Sequence, residues 1–304
     1  MSLSHVFRAT LACFVLVLGV DATADDGRIE INQAAALAGG VVTGDAPGFP
    51  VQITLPGSYV LTGDLTVSDP GTSAILVSAS RVSLDLNGFS VTGGAVCSGA
   101  GAGIECTGAS IWDGIRAVSA DQVTVRNGFV RGFGRHGVAL RNECRVIGIT
   151  STANADDGIN GGNGCIVRDS IAANNGGDGI QLGHNTVLVS NVATENRLEG
   201  IRADEGSVFL ENTARLNGGN GIAGLFGGNV LHRNNLQRNG DNGLRASDGA
   251  IVTHNIAREN QNRGLFLNPT AGYTRNVITT PGGTGTAVLG GVSMGTNGCD
   301  DFGC

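Results

Sequence analysis

A spacing of 21 residues dominates this sequence. From residue 137 onward, a glycine followed by isoleucine, valine or leucine recurs at Gly137, Gly158, Gly179, Gly200, Gly221, Gly243 and Gly264. Successive glycines are 21 residues apart, except for one step of 22. A repeat this short cannot bury its own apolar side, so neighbouring repeats must stack around a common core. The chain is therefore predicted to be a solenoid.

Within each repeat, short runs of alternating apolar and polar residues are separated by Gly, Asn and Asp. One repeat contains the run Gly179–Leu182 and then Val187–Val189, a pattern typical of brief strands joined by turns. Helical periodicity is absent, and parallel strands joined by crossovers are strongly biased to the right-handed form. We therefore expect an all-β, right-handed, single-stranded parallel β-helix of about ten rungs.

Asparagines form two further columns with the same spacing. The first precedes the glycines by four residues, and the second lies further ahead in each repeat: Asn154, Asn175, Asn196, Asn217, Asn239 and Asn260 in the first, and Asn191, Asn212, Asn234, Asn255 and Asn276 in the second. A stacked amide can both donate to and accept from its neighbours. We expect buried asparagine ladders at turns, because a binding surface would not require such regular spacing.

The N-terminus has the pattern of an export signal. Arg8 precedes the apolar run Leu11–Val20, and Ala22 and Ala24 supply small residues for cleavage. Residues 1–24 are therefore predicted to be a signal peptide. Because no later apolar run approaches the length of about 20 residues needed for a membrane span, residues 25–304 are expected to be a secreted or periplasmic protein.

Several segments depart from the repeat. Residues 31–39 are predicted to form a short amphipathic helix that caps the first rung, because the open end of a solenoid exposes strand edges. Residues 95–113 interrupt the spacing and are expected to form a looped insertion. Residues 297–304 are predicted to close the other end with a disulfide. The remainder of residues 25–304 forms a single β-helix domain.

Six cysteines follow the signal peptide, an even number that suits an oxidising compartment. Cys144 and Cys165 are one repeat apart, so stacking brings them to about the 4.8 Å strand spacing, within disulfide reach. The other four cysteines form two pairs that are close in sequence. The predicted disulfides are Cys97 with Cys106, Cys144 with Cys165, and Cys299 with Cys304.

Charge restricts the classes of partner. The formal net charge is -7, which argues against nucleic acid and anionic membranes, because both attract basic surfaces. All 19 basic residues are Arg, so lysine-based catalysis is excluded. We expect a monomer whose partner is a polysaccharide or a cell-surface glycan.

Three stretches, Leu55–Gly63, Leu84–Phe89 and Val123–Gly128, together with the rungs behind them, resemble the bacterial exported right-handed β-helix repeat proteins of the pectate-lyase-like superfamily. The resemblance covers nearly all of residues 25–304. It implies the fold and a link to polysaccharides, since members include lyases, hydrolases, epimerases and proteins without known activity.

The strongest candidate site is an acidic column immediately before the glycines, formed by Asp113, Asp157, Asp178 and Glu199, with Asp156 beside it. Carboxylates about 5 Å apart can share a cation. In a lyase-like hypothesis, Asp157, Asp178 and Glu199 bind calcium, and Arg202 removes a proton next to a uronate carboxylate, with Asp157 and Asp178 in the catalytic group. The alternative is ordinary turn chemistry, because Asp often precedes Gly in turns.

The predicted substrate-binding residues are Asn160, Gln181, Arg245 and Trp112. The first three occupy outward positions of the strands that follow the glycines, and Trp112 is the only tryptophan. Hydrolase chemistry of the polygalacturonase type is disfavoured, because His136 occupies the position where that pattern requires an Asp. The chain is therefore predicted to bind or act on an extracellular acidic polysaccharide, with lyase-like chemistry if it is an enzyme and calcium as the one cofactor considered. The alternative is a non-enzymatic envelope scaffold or adhesin.

Overall fold

In a computed structural model, residues 27–279 and 286–299 are described. They form a right-handed parallel β-helix of about 12 turns with very little helix, which confirms the predicted fold class. The predicted signal peptide and Cys304 lie outside the described residues. None of the helices in this part of the chain is long and apolar enough to cross a bilayer.

The first face of the solenoid is an 11-stranded parallel sheet. In most rungs, the residue before the strand is a glycine that ends the preceding turn. The middle residue of each strand points outward and its two flanking residues point into the core, as Ile180, Gln181 and Leu182 illustrate. The strands are Val51–Ile53, Ile75–Val77, Ile115–Ala117, Val138–Leu140, Ile159–Gly161, Ile180–Leu182, Ile201–Ala203, Ile222–Gly224, Leu244–Ala246, Leu265–Leu267 and Val288–Leu289.

The second and third faces belong to one 21-stranded sheet, because two long strands, Thr124–Arg131 and Arg145–Thr152, run through both faces. The other strands of the second face are Ile29–Ile31, Gly57–Leu61, Val82–Asp85, Ile166–Arg168, Val187–Val189, Val208–Leu210, Val230–His232, Ile251–Thr253, Gly272–Thr274 and Val292–Ser293. Those of the third face are Leu65–Thr66, Ser90–Thr92, Ile171–Ala173, Val192–Thr194, Thr213–Arg215, Asn235–Gln237, Ile256–Arg258, Val277–Thr279 and Gly298–Cys299.

The core is a stack of aliphatic layers along the solenoid axis. In one rung Ile180, Leu182, Leu188 and Ala193 are buried, and the corresponding residues of the neighbouring rungs lie above and below them. Because parallel strands here are about 4.8 Å apart, each layer packs directly on the next. One continuous core results, as the repeat predicted.

Both predicted asparagine ladders are present. In the first ladder each Nδ2 donates to the Oδ1 of the asparagine one rung further on, over 2.9 to 3.0 Å. The second ladder has the same pattern and ends on Asn297, which the sequence prediction did not include. The ladders satisfy amide groups that the core would otherwise leave unpaired.

The glycine column and the first asparagine ladder require each other. A Cβ built on Gly179 would lie 2.6 Å from Nδ2 of Asn196 and 2.5 Å from the carbonyl oxygen of Gly200. A side chain at this position would therefore displace the ladder amide of the next rung. This close approach explains why Asn and Gly recur together four residues apart.

The segments outside the repeat contain the remaining elements. An α-helix spans Gln33–Ala38, and the Asn32 side chain accepts the Ala35 N–H at its N-terminus. Within the insertion, strands Val96–Ser98 and Glu105–Thr107 pair antiparallel around a 3₁₀ turn at Gly101–Gly103. We call residues 95–113 the hairpin insertion.

Two of the predicted disulfides lie within the described residues. Cys97–Cys106 closes the hairpin insertion, and Cys144–Cys165 links adjacent rungs with a Cα–Cα distance of 4.5 Å. The pairing of Cys299 with Cys304 stays a prediction, because Cys304 lies outside the described residues. Two disulfides suit an exported protein.

Candidate functional site

One polar column runs along the edge of the first face, at the position immediately before each glycine. We call it the polar column, and its members in successive rungs are Asp113, His136, Asp157, Asp178, Glu199, Asn220, Asn242 and Arg263. The three aspartates and His136 are buried. Of the acidic residues predicted from the sequence, Asp157, Asp178 and Glu199 are consecutive members of this longer and more varied column, and His136 separates them from Asp113.

Each aspartate in this column accepts a hydrogen bond from the backbone of the next rung. The Asp178 N–H donates to Oδ1 of Asp157 over 2.8 Å, and the Glu199 N–H donates to Oδ1 of Asp178 over 3.0 Å. One carboxylate oxygen of each aspartate thus satisfies the turn backbone, as the turn-chemistry alternative anticipated.

The second carboxylate oxygen supports a side chain on the outer surface. Asn160 Nδ2 donates to Oδ2 of Asp157 over 2.8 Å, and Arg202 Nε lies 2.9 Å from Oδ2 of Asp178. Arg116 makes the equivalent contact with Asp113 over 2.6 Å. The polar column therefore orients outward residues of the first face, which goes beyond turn chemistry.

Asp178 has an unusual electrostatic environment. Burial, the nearby Asp157 carboxylate and Glu199 together outweigh the Arg202 guanidinium and raise the pKa of Asp178 to about 8. The Arg202 contact is an ion pair by distance, but its direction leaves Oδ2 of Asp178 without a hydrogen bond. Burial also raises the pKa of Asp157.

His136 occupies the rung between Asp113 and Asp157. Its Nδ1 lies 3.4 Å from Oδ2 of Asp157 and 3.6 Å from Oδ2 of Asp156, so three ligand-type groups fall within 4.8 Å of one another. Nδ1 also accepts the Asp157 N–H over 3.2 Å. Since that bond uses the Nδ1 lone pair, this nitrogen is committed to the turn backbone rather than to a cation.

Two of the three predicted calcium ligands, Asp157 and Asp178, have their carboxylate oxygens directed to protein groups. Calcium takes six to eight oxygen ligands, whereas one oxygen each of Asp157 and Asp178 accepts a backbone N–H. The second oxygen of Asp157 accepts from Asn160, and that of Asp178 faces the Arg202 guanidinium. Calcium binding by Asp157, Asp178 and Glu199 stays a prediction.

The middle residues of the first-face strands line up in one row, in which Ala139 and Ala223 are buried. The strand register places the side chains in the order Arg116, Ala139, Asn160, Gln181, Arg202, Ala223, Arg245 and Phe266. We call this set the outward row. It unites Asn160, Gln181, Arg202 and Arg245, which were predicted to share one face.

The two ends of the outward row carry aromatic residues. At one end Trp112, 38% exposed, precedes Asp113 and lies close in sequence to Arg116. At the other end, the Arg245 guanidinium carbon lies 5.9 Å from the centre of the Phe266 ring. Sequence reasoning missed Arg116 and Phe266 as row members, although both follow the glycine column with the same offset as Arg202.

The hairpin insertion borders the first face. Its Cys106 Sγ lies 3.8 Å from the Asn154 carbonyl oxygen. A Cβ on Gly101 would lie 2.9 Å from the Leu216 carbonyl oxygen, so the hairpin also packs closely on a turn three rungs away. The insertion therefore covers the turns that precede the polar column.

The fold and its ladders define a right-handed parallel β-helix, and the sequence profile for "Right handed beta helix region" matches residues 158–300. A search of curated proteins finds no match. Among solved structures, the chain is similar to the A-module of the Azotobacter vinelandii mannuronan C-5 epimerase AlgE4. The two share 13% identity with a TM-score of 0.59, over 91% of this chain and 96% of that chain.

Two further structures show the same architecture. A double mutant of the periplasmic alginate epimerase AlgG matches with 14% identity and a TM-score of 0.54, over 82% of this chain and 69% of that chain. The catalytic unit of an α-1,3-glucanase from Streptomyces thermodiastaticus matches with 12% identity and a TM-score of 0.52, over 83% of this chain and 61% of that chain. At such identities the likeness shows the fold, and these neighbours are enzymes that act on polysaccharides.

Proposed function

We propose that this protein binds an acidic polysaccharide along the outward row of the first face. The observation that carries the proposal is the alignment of three arginines, Arg116, Arg202 and Arg245, on outward positions of one sheet. The net charge of the chain is -7, so an aligned group of arginines on one face is a local exception. Guanidinium groups recognise carboxylates through paired hydrogen bonds.

The geometry suits a chain ligand that lies along the solenoid axis. Rungs are about 4.8 Å apart, so Arg202 and Arg245, two rungs apart, are separated by about 10 Å. Between Arg116 and Arg202, the side chains of Asn160 and Gln181 offer amide donors and acceptors to sugar hydroxyls. A polymer with carboxylates at intervals can therefore contact several members of the row at once.

Arg202 is the central residue of this proposal. Its Nε faces the buried Asp178, while the side chain stays 33% exposed, which leaves its terminal nitrogens for a ligand. A guanidinium group stays charged in proteins and pairs with carboxylates in a planar geometry, so Arg202 suits a uronate carboxylate better than it suits the predicted role of base. Neutralising that carboxylate is the step that lyase chemistry would require of it.

Asp157 and Asp178 receive a positioning role in place of the predicted catalytic one. Their side chains are 5% and 1% exposed, too little to touch a polysaccharide on the surface. They instead fix Asn160 and Arg202 from below. Export to the periplasm or the medium, which the N-terminal pattern and the disulfides support, would bring the protein to such glycans.

Titration of residues 25–304 with mannuronan and galacturonan oligosaccharides tests the proposal. We expect Arg202→Ala to weaken binding about 10- to 100-fold, the loss typical of a charge-assisted hydrogen bond. Arg238→Ala is the matched control, because Arg238 also contacts a carboxylate one rung away, Glu259, through Nε but lies outside the first face. Binding by Arg202→Ala equal to that of the natural chain would refute the proposal.

The same samples separate the remaining alternatives. A rise in the absorbance of unsaturated uronates that Arg202→Ala abolishes would establish a lyase at the outward row. Binding without any product would establish a binding protein. Absence of binding to every acidic glycan would refute the proposal in favour of the scaffold or adhesin alternative.

A further inference from the structure

The one 22-residue repeat places its additional residue on the surface. The first-face strand and the next strand start seven residues apart in the rung of Ile201 and Val208, but eight residues apart in the rung of Ile222 and Val230. The extra residue therefore lies in the turn between Gly224 and Val230. This turn contains Phe226, whose side chain is 60% exposed.

Phe226 is an unfavourable residue for a turn that serves structure alone, because its backbone conformation and its exposed ring both cost free energy. Its φ is 57°, in the left-handed region that side chains other than Asn and Asp rarely adopt. The exposed ring gains little from burial, and its ring contact is with His184, whose centroid is 6.1 Å away at an interplanar angle of 38°. The exposed ring offers an apolar face on which a ligand can stack.

A concave surface lies directly beside this ring. A cavity of about 550 Å³ is lined by Phe226, Leu225 and the polar residues Glu205, Arg245, Asp248 and Asn268. An apolar ring beside convergent polar groups is the usual composition of a small-ligand site. The size and the lining suit a pyranose ring, which has apolar faces and a rim of hydroxyl groups.

The carboxylates in the cavity lining favour uncharged sugars over uronates. Two carboxylates, Glu205 and Asp248, line the cavity, and hydrogen bonds from the Thr270 hydroxyl and the Asn268 amide lower the pKa of Asp248. Carboxylates accept hydrogen bonds from sugar hydroxyls but repel uronates. The Arg245 guanidinium, which lies over Phe266, marks the boundary between this cavity and the outward row.

We propose that Phe226 and the cavity between Glu205, Asp248 and Asn268 form a subsite for an uncharged pyranose ring, stacked on Phe226 with its hydroxyls donating to the carboxylates. This site shares Arg245 with the outward row, but Phe226, Glu205, Asp248 and Asn268 lie outside the row, so the proposal does not depend on acidic-polysaccharide binding. The sugar comes from a neutral glycan or from a neutral unit of a mixed polymer.

The test is an array of neutral oligosaccharides, comprising glucans, mannans, galactans and xylans, followed by calorimetric titration of the best binder. We expect Phe226→Ala to weaken binding about tenfold and Phe226→Trp to retain it, because the stacking surface persists. Phe129→Ala is the matched control, since Phe129 is 48% exposed but lies on the 21-stranded sheet. Circular dichroism checks that each variant is folded.

The outcomes separate this site from the outward row. Neutral binding that Phe226→Ala loses, while Arg202→Ala and Phe129→Ala keep it, supports the subsite whether or not acidic glycans bind. If no neutral glycan binds, or if Phe226→Ala binds as the natural chain does, the subsite is overturned. Failure of the acidic row is read independently, from the mannuronan titration of Arg202→Ala.

Discussion

The asparagine ladders and the polar column are both buried polar stacks with one residue per rung, yet they differ in composition. In the ladders, every member is the same amide and donates to its neighbour over 2.9 to 3.1 Å. The polar column instead contains acids, a histidine, amides and an arginine. Only one carboxylate oxygen of each aspartate accepts a hydrogen bond from the backbone. The second acceptor reaches toward the outward row.

The difference separates structural from functional polarity. A self-complementary amide satisfies itself in any number of copies, so a ladder needs no partner outside the core. A buried carboxylate lacks a donor and requires a partner from elsewhere. Asn160 donates a hydrogen bond to Asp157, and the Arg202 guanidinium forms an ion pair with Asp178. A column whose residues vary within a regular repeat therefore marks the positions where buried side chains contact functional side chains on the surface.

Breaking a ladder should give the largest effect. Asn196→Ala would remove the acceptor of the Asn175 backbone N–H and Nδ2, and the Nδ2 donor of the Ala172 carbonyl oxygen and of Oδ1 of Asn217. Each unsatisfied buried group costs roughly 1 to 3 kcal/mol, so we expect a loss of about 4 kcal/mol or more in the free energy of unfolding, measured by urea denaturation. The control Asn262→Ala, at an exposed position, should change it by less than about 0.5 kcal/mol. A loss under about 1 kcal/mol in Asn196→Ala would contradict the structural role of the ladder.

The polar column should instead make the free energy of unfolding depend on pH. The pKa of Asp178 is raised to about 8 in the folded chain, above its value of about 3.9 in an unfolded chain. The folded state thus holds the extra proton, and its stabilising contribution is complete below about pH 4 and is lost as the pH rises toward 8. Between pH 5 and pH 8 the natural chain should lose about 3 kcal/mol relative to Asp178→Asn.

Denaturant titrations of both proteins at several pH values measure this loss. Asp178→Asn keeps the Oδ1 acceptor for the Glu199 N–H but cannot ionise, so it isolates the titration from the hydrogen bond. Parallel pH profiles for the two proteins would show that Asp178 ionises normally, and the electrostatic account of the column would then fail.

The fold was largely predictable because a repeat with a fixed period specifies a register. Once the glycines and asparagines recur every 21 residues, stacking, inward and outward positions and the Cys144–Cys165 disulfide follow from spacing alone. The continuation of the second ladder to Asn297 was missed, since no glycine of the column accompanies it.

For the candidate site, the sequence could predict which residues share the first face but not the contacts between them. Register could place Asn160, Gln181, Arg202 and Arg245 on one face, but it could not show that Asp178 is buried beneath Arg202 or which oxygen each donor takes. Those features depend on rotamers and on burial within a turn. The proximity of His136 to Asp157 follows from their one-rung spacing, but it was not among the predictions.

The glycine column tests the dependence of the ladder on its neighbour. In Gly179→Ala the new Cβ meets Asn196 Nδ2 and the Gly200 carbonyl oxygen, so we expect a loss of about 2 kcal/mol from overpacking, measured by thermal unfolding. Gly103→Ala is the control, because no atom lies within 4 Å of its Cβ position. Equal stability of the two variants would show that the turn yields easily and that Asn and Gly are not coupled.

The smallest change in stability is expected at the residue just before each asparagine of the first ladder. This residue adopts a left-handed conformation but takes no part in the ladder. Leu216 and Asn174 occupy this position in two rungs, with φ of 56° and 55°. Asn tolerates this conformation and Leu does so poorly. We therefore expect Leu216→Asn to stabilise the chain by about 0.5 to 1 kcal/mol and Asn174→Leu to destabilise it by a similar amount, both measured by urea denaturation. If the two substitutions shift stability in the same direction, contacts of the individual side chains outweigh the backbone conformation, and the turn cannot be treated as one repeated unit.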